Sequence, residues 1–96
     1  MRYDILKTKD YHMSMEVDVN YNALIHLDVF VWTPRVARGL RQTAKDTAEA
    51  LLLEGFNRVY SVMEDARFAV RFCGGVVDGT IVFEGKEYEV IIWDFH

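Results

Sequence analysis

The stretch that decides the fold is ALIHLDVFVWTPRVARGLRQTAKDTAEALLLEG, residues 23–55. Its first ten residues alternate. Ala23, Ile25, Leu27, Val29 and Val31 form a purely apolar set, and Leu24, His26, Asp28, Phe30 and Trp32 form the other. That is the period of a strand, apolar enough to be central and buried on both sides, with the first set against the core. Thr33-Pro34 then reads as a helix start, Thr as N-cap and Pro in the first turn. From there the period becomes helical. Val36, Ala37, Leu40, Ala44, Ala48, Leu51 and Leu52 recur at spacings of three and four, giving one core-facing stripe. Gly55 closes the helix as a left-handed C-cap.

Upstream, Met13–Val19 alternates in the same way and predicts a strand, joined to the first by a turn at Asn20-Tyr21-Asn22 in which Asn tolerates positive φ. The two strands are expected to form an antiparallel hairpin. Residues 1–12 read as a short edge strand or an arm. Downstream, Phe56–Met63 reads as a third strand. Glu64-Asp65 opens a second helix to about Cys73, and Gly74-Gly75 stops it. Val76–Phe83 and Glu87–Phe95, across a Glu84-Gly85-Lys86 turn, form a closing hairpin. The expectation is one α/β (α+β) domain over residues 1–96, with a mixed twisted sheet of about five strands and two helices in the order ββαβαββ. Tyr60, Phe68, Phe72, Phe83, Tyr88 and Trp93 are expected in its core.

Composition narrows the function. Ninety-six residues fit one compact domain, and 51% apolar and 14% aromatic residues argue against a disordered chain. A single Cys forms no internal disulfide and points to a reducing, cytoplasmic setting. No apolar run reaches the roughly 18 residues of a membrane span. A net charge of −4 argues against generic nucleic-acid binding. Three His without a ligand-like spacing predict no metal site, and no phosphate loop, nucleophile elbow or dinucleotide fingerprint is present.

Two constellations remain. Arg35, Arg38, Arg41 and Lys45 share one helical face in the first turns, where free amides and the macrodipole also favour an anion. A phosphate or pyrophosphate suits them. The alternative is a solvated face, with Arg41 and Lys45 paired to carboxylates such as Glu49. His26 and Asp28 project from one face of the central strand, and Glu16 and Asp18 of the preceding strand are expected across from them. There His26 would serve as a general base tuned by Asp28, or the group is a satisfied polar cluster. Cys73, just before two glycines, reads as a packed thiol.

From Ala23 to Phe95 the order of these elements resembles the C-terminal core of the GNAT superfamily of N-acyltransferases, in particular the small GNAT-like proteins of bacteriophages. The strand entering a basic helix, FNRVYSVME, the short helix DARFAVRFCGG and the hairpin VVDGTIVFEGKEYEVIIWDF carry the likeness. It implies acetyl-CoA as cofactor, with its pyrophosphate at the start of the basic helix. Its pantetheine arm would lie in a splayed gap between the strands at Leu27–Trp32 and Val59–Met63. Trp32, Arg35, Arg38, Gly39, Leu40 and Arg41 are the residues so assigned, with His26, Asp28 and Glu16 as candidates for deprotonating an acceptor amine.

The sequence departs from the family pattern in its loop, in its short helix and in Gly74-Gly75, which stands where the family has a GF pair. Aligned on Gly39, the loop pattern has Val36 where Gln or Arg is usual and Arg41 where Gly or Ala is usual. The short helix lacks the family's catalytic Tyr, with Phe68, Val70 and Phe72 in its neighbourhood. Two losses favour a GNAT-like protein that binds and inhibits or modulates a host protein. The alternative is a minimal acetyl-CoA-dependent N-acyltransferase. A homodimer through an exposed sheet edge at IIWDF is a third expectation.

Overall fold

The computed structural model describes residues 2–93, apart from the side chain of Phe72. The elements are β1 (Arg2–Lys7), β2 (Tyr11–Val17), β3 (Ala23–Val29), α1 (Pro34–Leu53), β4 (Val59–Met63), α2 (Arg67–Phe72), β5 (Val76–Phe83) and β6 (Lys86–Trp93). They build one six-stranded mixed sheet in the order β1-β2-β3-β4-β6-β5. The sixth strand is β1. Residues 2–7 pair antiparallel with β2, with a register shift between Asp4 and Leu6.

Both helices lie on one face of the sheet. Ala48 and Leu51 of α1 and Ala69 of α2 pack in one cluster with Ala23, Val59, Ile91 and Trp93 from the strands. The helical stripe read from the sequence supplies this contact through Ala48 and Leu51, while its Val36 and Leu40 are buried in a second cluster with Tyr11. Each fully buried Leu of that kind contributes roughly 1.5–3 kcal/mol. The register puts Glu16, Leu24, His26, Tyr60, Val62, Val90 and Ile92 on the opposite face, which no described helix covers.

α1 starts as its sequence predicts. Thr33 Oγ1 accepts from the Val36 amide at 3.1 Å, with Pro34 at the first position. Gly55 follows in the left-handed region at φ 106°. The closing hairpin turns on Glu84 and Gly85, both at positive φ, with Phe83 paired to Lys86.

Several expectations are corrected. β2 runs from Tyr11 rather than Met13 and stops at Val17, because Asp18 turns the chain by accepting from the Asn20 and Asn22 amides. The left-handed residue of that turn is Tyr21 (φ 59°), not an Asn, and its ring stacks on Phe56 at 4.4 Å. β3 ends at Val29, since Phe30 and Val31 leave the sheet to bond the Asp10 carbonyl. β4 begins at Val59 and α2 spans only Arg67–Phe72. Phe83 is exposed on edge strand β5 rather than in the core. Ile91–Trp93 lie in β6, an interior strand between β4 and β5, so they form no edge. The expected strand end at Phe95 lies outside the described residues.

Candidate functional site

β3 and β4 run parallel but share only two rungs, Ala23 with Val59 and Leu24 with Tyr60. Beyond them the strands diverge. At the fork Ser61 Oγ donates to the Ile25 carbonyl at 2.6 Å, a side chain standing where the backbone ladder has ended. β3 is paired on its other side to β2, and β4 to β6, so the gap is a split inside one sheet.

A cavity of about 430 Å³ occupies this split. Leu24–Val29 and Ser61–Met63 form its sides, and Leu40 and Ala44 of α1 with Phe68, Ala69 and Cys73 close it on the helical face. The lining includes residues of both faces of β3, Ile25 and Leu27 on one and His26 and Asp28 on the other. This corrects the reading of the apolar set as closed core: Ile25 and Val29 are half-buried and Leu27 is exposed. Alternation of apolar residues marks a face without saying whether protein or ligand covers it.

Trp32 stands where the chain leaves β3 for α1 and lines the cavity. Its ring meets Phe68 edge-on at 5.5 Å. Arg35, Arg38 and Arg41 are exposed on α1, and among the described residues no carboxylate pairs with them or with Lys45, including Glu49. The helix start itself offers an anion little. Pro34 has no N–H, and Thr33 already takes the amide of Val36. Gly39, Leu40 and Arg41 lie past the first turn, where amides belong to the helical ladder, and Leu40 is buried. An anion on this surface therefore meets guanidinium groups rather than a loop of amides. Gly39 is exposed, and a Cβ there would meet nothing within 4 Å.

On the bare face, His26 Nε2 lies 2.8 Å from Glu16 Oε1, and Arg2 reaches the same carboxylate oxygen at 3.3 Å. The His26 hydrogen bond, joined by Arg2, holds Glu16 below the usual carboxylate range against the opposing effect of burial. With Nε2–H donated to Glu16, the His26 Nδ1 is left as an acceptor. Asp28 lines the cavity two residues along but does not bond His26; its cross-strand neighbour His12 is held by Asp4 at 2.7 Å. Asp18 serves the turn and accepts from Tyr60 at 3.4 Å. The structure thus joins His26 to Glu16, places Asp28 beside them and removes Asp18 from the group.

Cys73, treated in the sequence as inert packing, also lines the cavity. It is buried, and burial pushes its thiol up, with Lys45 and Arg41 acting in the opposite direction. Among the described residues no cluster of His, Cys, Asp and Glu could hold a metal.

No protein-family model matches the chain, and no curated protein matches it. Among solved structures, it is similar to a spermidine N-acetyltransferase, a chimera of SpeG from Vibrio cholerae and hSSAT. The TM-score is 0.61 at 11% identity, over 96% of this chain. The fold is GNAT-like. The chain spans 64% of the length of that structure. The parallel strands that part after two rungs, with the basic helix between them in sequence, are the features this GNAT-like domain shares with the expectation drawn from the resemblance. No described helix is long and apolar enough to cross a membrane.

Proposed function

We propose that the gap between β3 and β4 holds the pantetheine arm of an acyl-CoA, and that the protein transfers the acyl group to an amine. The single observation that carries this reading is the split in the sheet. A cavity of about 430 Å³ with mainly apolar walls is within the range of small-ligand sites. Past Leu24 and Tyr60 the two strands also offer backbone groups that no rung uses, partners for an amide-bearing arm. The residues present fit such a ligand. Trp32 and Phe68 flank one end, and Arg35, Arg38 and Arg41 supply unpaired cations for its phosphates.

Bound acyl-CoA would supply an activated thioester carbonyl. His26 removes a proton from an ammonium approaching over the bare face, through Nδ1, while Glu16 fixes the ring and stabilises the imidazolium. Asp28 adds a second negative charge on the approach, which suits a cationic acceptor. Spermidine, for which the solved neighbour is named, is one acceptor of that class. The freed amine would form the C–N bond as the C–S bond breaks; with no Tyr on α2, the leaving thiolate would take its proton from water, and positioning carries more of the rate.

The test is thiol release from acetyl-CoA in the presence of spermidine and of lysine peptides. Amine-dependent release supports transfer. Binding of acetyl-CoA without release supports a domain that retains the ligand and has lost the reaction.

The bare face favours a second reading. Tyr60, Val62, Tyr88, Val90 and Ile92 stand there half-buried beside Glu16 and Asp28, a mixed apolar and acidic surface suited to a basic protein partner. A host protein bound and modulated through that surface would need no acyl transfer.

A further inference from the structure

We infer that Arg2 is a catalytic residue: its guanidinium, held at the cavity by Glu16, stabilises the negative charge that develops on the thioester oxygen and on the departing sulfur. The inference rests on the acyl-transfer reading and supplies a group that the reading lacks.

Transfer to an amine puts charge in two places. The amine nitrogen bonds the carbonyl carbon, and the C=O electron pair moves onto oxygen. The pair then returns, the C–S bond breaks, and its electrons leave on sulfur as a thiolate. His26 takes a proton from the acceptor, and α2 carries no Tyr to give one to sulfur. A fixed positive charge beside both atoms lowers that barrier without moving a proton.

Arg2 is the only Lys or Arg among the described residues that line the cavity. It comes from β1, an outer strand separated from β3 by β2. The register sets it opposite Glu16, on the face that carries His26, and its Nη2 donates to Glu16 Oε1 at 3.3 Å. The same oxygen lies 2.8 Å from His26 Nε2, so one carboxylate holds the base and the cation side by side. A guanidinium has five N–H donors, and among the described residues Glu16 is the one side chain that Arg2 bonds. The remaining donors are open to a ligand in the cavity. Two other donors of the lining are committed, Ser61 to the Ile25 carbonyl and Trp93 Nε1 to the Cys73 carbonyl. Arg35, Arg38 and Arg41 do not line the cavity, which leaves them to the phosphates and Arg2 to the reacting end.

Amine-dependent thiol release from acetyl-CoA, compared among Arg2→Lys, Arg2→Gln and Arg2→Ala, tests the role beside calorimetric affinity for acetyl-CoA. Arg2→Gln and Arg2→Ala should lower kcat at least about ten-fold, less than the loss of a fully enclosed oxyanion donor because the guanidinium is half-exposed. Their affinity for acetyl-CoA should stay within about two-fold of wild type, since the charge acts in the transition state. Circular dichroism and melting should not change, as expected for an exposed ion pair. Arg2→Lys keeps the charge and should keep most of the rate. Millimolar guanidinium should restore much of the rate lost in Arg2→Ala and leave wild type unaffected. Release by Arg2→Ala at the wild-type rate overturns the assignment. So does a loss that follows acetyl-CoA affinity, or one that neither Arg2→Lys nor guanidinium repairs, either of which makes Arg2 an anchor for its neighbours. A wild type that releases no thiol to any amine overturns the transfer reading, and the role of Arg2 with it.

Discussion

At His26 the sheet, the gap and a carboxylate meet. A base there needs a fixed orientation, and the 2.8 Å contact with Glu16 supplies it. His26→Gln should lower amine-dependent thiol release by about 10²-fold or more while leaving acetyl-CoA affinity unchanged, since the side chain serves the acceptor and not the phosphates. Parallel loss of affinity and rate would make it a wall residue. Asp65 shows a different kind of pairing. Its carboxylate accepts from the Arg67 side chain at 2.7 Å and from the Arg67 amide, which lowers its pKa from 3.8 to about 2. A depressed carboxylate stabilises the fold above its unfolded pKa and loses that contribution as pH falls. Asp65→Asn should therefore melt slightly below wild type at neutral pH. The two melting curves should converge as pH drops from 3.8 through about 2. Both groups are exposed, so the separation is small.

At the scale of elements, two glycines answer different needs. Gly75 follows α2, and a Cβ there would stand 2.5 Å from Ile91 Cγ2 and 3.3 Å from the Ala69 carbonyl oxygen. Gly75→Ala should cost about 1–3 kcal/mol by overpacking, measured by denaturant unfolding. Gly39 has no such neighbour and sits exposed inside α1, where glycine costs about 0.5–1 kcal/mol relative to alanine. Gly39→Ala should stabilise the protein by about that amount. If phosphates lie against the helix between Arg35 and Arg38, it should also weaken acetyl-CoA binding several-fold. α1 was legible because its limits are chemical: Thr33 and Pro34 at one end, Gly55 at the other, a regular stripe between. The gap was legible only through the resemblance. Leu27 and Val29 alternate as core residues do, and no local signal says that β4 leaves β3 after Tyr60. The Ser61 bond to Ile25 depends on which strands become neighbours, so only topology reveals it, whereas the expected hairpin already set Glu16 across from His26.

For the whole molecule, a sheet with helices on one face, a split at its centre and an uncovered second face accounts for both functional readings. In both readings the split would hold the ligand, and the bare side would meet an acceptor or a partner protein. β1 was expected as a strand or an arm, and its charged sequence suits an outer edge, whereas β5, apolar in sequence, lies at the other edge without protection. The central claim is that the split binds acyl-CoA. Calorimetric titration of the purified protein with acetyl-CoA tests it most directly, beside Arg38→Glu and the cavity-filling Ala44→Phe, which projects into the gap lining without touching the cationic face. The account predicts saturable micromolar binding to wild type, weakened at least ten-fold by each variant. Absence of binding at millimolar acetyl-CoA, or binding that Ala44→Phe leaves intact, would contradict it.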